Sequence, residues 1–142
     1  FKNYGTFNYD LKSKLLNKLI INLRFNYKGT GGTKGIPEVY RSKIIKRLKK
    51  HTKRLFIGSA GVETIWIVNN KVNFIIHGRV TPWDHAPFNL IIKEAGGTVL
   101  MLRDKTEYSL SSNGPILASS SLESWIKIRD LILPFEDEYR IN

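Results

Sequence analysis

A chain of 142 residues is long enough for one compact domain, and 42% apolar against 25% charged residues is the composition of an ordinary soluble globular protein. Cysteine is absent, which excludes disulfides and thiolate metal sites and points to a reducing, cytoplasmic setting. The net charge is +11, and the segment from Lys34 to Arg54 alone carries +8 of it, nine basic residues against Glu38.

Taken in chain order, the first 28 residues read as strand-rich. Phe7, Tyr9 and Leu11 alternate with polar residues, and Ile21, Leu23 and Phe25 share one face of a second candidate strand over Leu19 to Phe25. The longest apolar run, Leu15 to Leu23, is broken by Asn17, Lys18 and Asn22 and falls short of the ~20 residues that span a bilayer. No signal peptide is evident, so no membrane partner is expected. The glycine-rich run Gly29 to Gly35 is expected to be a loop. Pro37 then opens a helix with Tyr40, Ile44 and Leu48 on its apolar face and the basic residues opposite. Such a stripe suits phosphate or nucleic acid, and it is also what a solvated helix face looks like.

A short strand is expected over Arg54 to Ile57, then the turn Gly58-Ser59-Ala60-Gly61, with Ser59 capping an apolar helix to about Val68. Asn69 to Lys71 form a turn before a strand over Val72 to His77. Thr81-Pro82-Trp83-Asp84 begins a helix carrying Ala86, Leu90, Ile91 and Ala95 to the stop at Gly96-Gly97. Strands follow over Thr98 to Leu102 and Ile116 to Ser119. Leu122 to Leu133 is a closing amphipathic helix that buries Trp125, Ile128 and Ile132. Residues 1–133 thus read as a single α/β domain, and 134–142 as an acidic tail.

The chemistry is concentrated in Thr81-Pro82-Trp83-Asp84-His85-Ala86-Pro87 and Lys93-Glu94-Ala95-Gly96-Gly97. A carboxylate in the first turn of a helix is kept ionised by the helix dipole, worth roughly 0.3–1 kcal/mol, with Trp83 beside it as an expected anchor. A fixed, charged oxygen ligand is what Mg²⁺ takes. Thr81 with Asp84 three residues on also approximates a capping box, which needs no function. No P-loop, HExxH or calcium-loop pattern is present, and nothing places Ser and His as a triad.

Trp-Asp, a helix and Glu-Ala-Gly-Gly, preceded by Arg54-Leu55-Phe56-Ile57-Gly58-Ser59-Ala60, resemble the second signature of the inositol monophosphatase family and the turn before it. The resemblance runs from about Gly29 to Leu133, and Gly5-Thr6-Phe7-Asn8 is similar to the hairpin after the family's first half. It implies a layered α/β sandwich, of which this chain is the C-terminal half, and a Mg²⁺-dependent phosphomonoesterase acting on inositol phosphate or a related small sugar or alcohol phosphate. Asp84 matches a metal-ligating aspartate. Gly58, Ser59 and Ala60 match the turn that contacts substrate hydroxyls.

The departures are specific. The family's Glu pair and Asp-Pro-x-Asp-Gly-Thr segment are not in this sequence. Its sugar-contacting glutamate, seven residues before the aspartate, is His77 here, and a Gly that serves close helix packing is Phe88. The chain also begins at Phe1 rather than Met. The expected partners are therefore a small phosphorylated substrate and either the missing N-terminal half or a second copy. The alternative readings are a non-catalytic basic or RNA-binding module and a remnant without an autonomous role.

Overall fold

The computed structural model describes residues 27–55 and 57–133. The expected strands before Tyr27, the Gly5 hairpin and the acidic tail lie outside the described residues. One five-stranded sheet organises the rest, in the order β2-β1-β3-β5-β4: β1 (Lys28–Thr30), β2 (Lys53–Arg54), β3 (Phe74–His77), β4 (Thr98–Met101) and β5 (Ile116–Ser119). β1 runs parallel to β2 and β3, while β5 is antiparallel to both β3 and β4. Four helices cover the sheet: α1 (Glu38–His51), α2 (Ala60–Val68), α3 (Pro82–Glu94) and α4 (Leu122–Ile132). This is the α/β layered architecture expected.

Strand alternation divides the interior into two cores. Phe74, Ile76 and Leu117 point to one face, where they meet Tyr40, Ile44 and Leu48 of α1 and Trp125, Ile128 and Ile132 of α4. Ile75, Ile116 and Ala118 point to the other, against Ile67 of α2 and Phe88 and Ile92 of α3. A period of two in the strands sends neighbours to opposite layers, so every strand residue from Phe74 to Ile76 and from Ile116 to Ala118 is buried. Each large side chain so buried contributes about 1.5–3 kcal/mol.

Local chemistry accounts for the helices. Pro37 is the N-cap residue of α1, with Glu38 in its first turn and Lys49, Lys50 and His51 in its last, the distribution that complements the helix dipole. Lys43, Lys46, Lys49 and Lys50 are exposed, as expected for that face. Arg41 and Arg47 are used structurally, Arg41 toward Thr33 and Glu38 and Arg47 toward the Leu131 carbonyl. Ser59 caps α2 by accepting from the Val62 amide at 3.5 Å. In α4, Trp125 Nε1 donates to the Leu117 carbonyl at 2.7 Å. The buried Arg129 beside it donates to the Leu102 and Arg103 carbonyls at 2.8 and 2.7 Å.

Several expectations are corrected. Gly29 and Thr30 are not loop residues but part of β1, between β2 and β3. The reason is Phe74, whose ring lies where a side chain would stand: a Cβ on Gly29 would come within 1.9 Å of Phe74 Cζ. Glycine here serves close approach inside a strand, not a turn. The short strand expected over Arg54 to Ile57 is Lys53–Arg54, and the strand expected from Val72 starts at Phe74. α3 turns His85, Phe88 and Ile92 inward, and leaves Leu90 60% and Ile91 48% exposed. Trp83 is 75% exposed rather than buried as an anchor.

Candidate functional site

The N-termini of α2 and α3 open onto one cavity of about 280 Å³. Gly58, Ser59 and Ala60 enter it from the turn before α2, His77 from the end of β3, and Asp84 from the first turn of α3. All five residues singled out in the sequence therefore line the same space, together with Glu63, His85 and the cations Lys34 and Arg79.

Beneath this lining runs a continuous chain of hydrogen bonds. Glu63, 1% exposed and the one charged residue of α2, accepts from the Thr30 hydroxyl at 2.9 Å. Its other oxygen lies 2.6 Å from His77 Nε2. His77 Nδ1 is 2.9 Å from His85 Nε2, and His85 Nδ1 lies 3.0 Å from the Thr81 amide nitrogen and 3.1 Å from its carbonyl oxygen. Thr81 in turn donates its hydroxyl to Asp84 Oδ2 at 3.1 Å.

One assignment of protons links Thr81, the two rings and Glu63 with both rings neutral, the Thr81 carbonyl accepting from the His85 backbone amide at 2.9 Å rather than from the ring. The Thr81 amide donates to His85 Nδ1, His85 Nε2–H donates to His77 Nδ1, and His77 Nε2–H donates to an ionised Glu63. The His85 environment agrees with a neutral ring: burial, and next the neighbouring His77, push its pKa below the ordinary histidine value, against an opposing contact with Thr81. Phe88 supports both rings, its centroid 5.4 Å from each. That contact accounts for a phenylalanine where a glycine was expected.

His77 and His85 are both held inside this chain of hydrogen bonds. His77 lines the cavity, but both its ring nitrogens are engaged within the protein. His85 does not touch Asp84 directly; it holds the backbone of Thr81, whose hydroxyl holds Asp84. Thr81 is the N-cap of α3, but its hydroxyl goes to that carboxylate and makes no capping bond to a backbone amide. Glu63 and Thr30 escaped the sequence reading. A lone acid in Ala-Gly-Val-Glu-Thr-Ile-Trp-Ile-Val was the available signal for the first, whereas Thr30 was hidden in an apparent loop.

The sequence from residue 16 to 132 matches the inositol monophosphatase family. The chain belongs to that family. A fructose-1,6-bisphosphatase/inositol-1-monophosphatase of Thermotoga maritima is 34% identical over 83 residues, covering 58% of this chain and 32% of that protein. The Thermotoga maritima IMPase structure superposes with a TM-score of 0.63 at 24% identity, over 82% of this chain and 44% of its own. Inositol monophosphatase-II from Staphylococcus aureus gives a TM-score of 0.67 at 20% identity, over 82% and 43%. At these identities the superpositions establish the fold. The chain spans about a third of the curated relative and less than half of each of these two structures.

The resemblance to the inositol monophosphatase family implies Mg²⁺, and the described residues can be tested against it. Asp84 suits one position: it is exposed to the cavity, sits at a helix N-terminus and has its direction set by Thr81. Glu63 does not, because both of its oxygens are engaged inside the protein. No group of three His, Asp or Glu residues among the described residues could hold a metal ion. The described residues therefore do not form a Mg²⁺ site by themselves. Among them, no helix is long and apolar enough to cross a membrane.

Proposed function

We propose that this chain contributes the C-terminal α/β part of a cytoplasmic, Mg²⁺-dependent phosphomonoesterase acting on inositol phosphate or a related small sugar or alcohol phosphate. The observation that carries the reading is the convergence of two helix N-termini on the cavity that holds Asp84. Helix N-termini attract anions, and a carboxylate among them attracts a cation, the combination that a phosphate ester bound with a metal requires. In this reading the backbone of Gly58 and Ala60 and the hydroxyl of Ser59 receive substrate hydroxyls. Asp84 is one Mg²⁺ ligand, and His77, which lines the cavity, contacts the substrate. Metal of this kind, when bound, polarises phosphoryl oxygen.

The remaining ligands would come from a further layer, the family's first half or a second copy. Support for such a layer comes from apolar side chains left exposed on α2 and α3, among them Val62, Ile65, Leu90 and Ile91. A phosphate-release assay at millimolar Mg²⁺ tests the reading. The 142-residue chain alone should show no appreciable hydrolysis of inositol monophosphate. Turnover should appear when the family's first half is supplied as a second polypeptide, and Asp84→Asn should abolish it. Failure of the complemented protein to turn over any sugar monophosphate would overturn the proposal. Robust turnover by the chain alone would overturn the claim that ligands are missing.

A further inference from the structure

Two of the chain's three histidines end side by side, and each is braced from behind. His77 Nδ1 and His85 Nε2 lie 2.9 Å apart, with the rings edge to face and their centroids 5.0 Å apart. Behind them, His77 Nε2 meets a Glu63 oxygen at 2.6 Å, and His85 Nδ1 lies 3.1 Å from the Thr81 carbonyl oxygen. A carboxylate on one outer nitrogen and a backbone carbonyl on the other is how metal-binding imidazoles are oriented, which leaves the inner nitrogen of each to the ion. Phe88 walls both rings with apolar surface, and both line the cavity, so an ion entering the cavity reaches them.

The spacing suits a single ion. Bonds of about 2.0–2.1 Å hold two ring nitrogens about 2.9 Å apart at a right angle and about 3.3 Å apart at the tetrahedral angle, so the pair need part by only about 0.4 Å at most. We propose that His77 Nδ1 and His85 Nε2 form a two-imidazole site for a divalent transition metal of the zinc, nickel and copper class, with water completing the coordination. Mg²⁺ takes oxygen ligands and does not compete, whereas imidazole suits these transition metals. In the free protein the proton on His85 Nε2 bridges the two rings. The ion takes that place and the proton moves to His85 Nδ1. There the Thr81 carbonyl accepts it with its second lone pair, the first being used by the His85 backbone amide. The ring gives up the bond it received from the Thr81 amide at 3.0 Å, so one neutral hydrogen bond is exchanged for another. The site uses neither oxygen of Asp84 and does not rest on the phosphatase reading.

Zn²⁺ alone, titrated calorimetrically into the full 142-residue chain, tests the site. The chain has no cysteine to compete for the ion, and its third histidine, His51, lies on α1 and does not line the cavity. One saturable Zn²⁺ per chain is expected. Affinity should fall at least about tenfold in His77→Gln and in His85→Gln, and about 10–100-fold in Glu63→Gln, which removes the carboxylate behind His77. His51→Gln and Asp84→Asn should bind within about twofold of wild type, and millimolar Mg²⁺ should leave the titration unchanged. Nitrogen NMR of the wild-type rings supplies a measurement that depends on no variant. The His85 proton should sit on Nε2 without Zn²⁺ and on Nδ1 with it, while the His51 ring signals stay in place. No saturable heat up to about 1 mM Zn²⁺ would overturn the proposal. So would equal affinity in wild type and both histidine variants, loss of binding in Asp84→Asn, or a His85 proton that stays on Nε2 with Zn²⁺ bound.

Discussion

Replacing Glu63 with alanine probes the buried hydrogen-bonded chain at its most charged point. The side chain is 1% exposed, and its two oxygens receive the Thr30 hydroxyl at 2.9 Å and His77 Nε2 at 2.6 Å. Removal leaves both donors without their acceptor, at a site where Thr30 is wholly buried. A hydrogen bond to a charged group is worth about 1.5–3 kcal/mol, so Glu63→Ala should destabilise the fold by about 3–5 kcal/mol. Glu63→Gln keeps the shape and one acceptor but turns an amide NH₂ toward one of two donors, and should cost about 1–3 kcal/mol. Urea unfolding followed by linear extrapolation measures both. A double-mutant cycle with His77→Phe should show a coupling of about 0.5–3 kcal/mol. A loss below about 1 kcal/mol for Glu63→Ala, or strict additivity with His77→Phe, would refute the claim that this contact holds the site together.

Stability should also depend on pH through His85. Its folded pKa lies below the ordinary 6.5, chiefly because of burial, so the unfolded chain takes up the proton first as pH falls. The contribution is present above 6.5 and is lost as pH drops through the folded value; comparing unfolding midpoints of wild type and His85→Phe across that window should show a shallower slope in the variant. An identical slope would remove His85 as its source. Gly29→Ala should destabilise by about 1–3 kcal/mol, since the added methyl meets the Phe74 ring, and Phe74→Leu in the same chain should recover part of that loss. Thermal unfolding of the single and paired variants is the check, and an unperturbed Gly29→Ala protein would contradict the close packing of β1 on Phe74.

What could be read from the sequence was what local chemistry controls. Pro37 before an apolar stripe, Ser59 before an apolar run, and Thr81-Pro82 with a Gly96-Gly97 stop mark helices α1 to α3, because caps and breakers act within one turn of the residues that carry them. β5 and α4 were legible for the same reason, as was the grouping of Gly58, Ser59, Ala60 and Asp84 through their motifs. Contacts between distant segments were not legible. Gly29 and Thr30 carry no strand pattern of their own and extend because β2 and β3 flank them and the Phe74 ring takes the space of a side chain. The inward face of α3 became His85, Phe88 and Ile92 because the second core and the two imidazoles lie on that side, although Leu90 and Ile91 are as apolar as Ile92. Glu63 and His77, fourteen residues apart, became partners only when α2 packed beside the end of β3, since a buried carboxylate is tolerated where donors from other elements reach it.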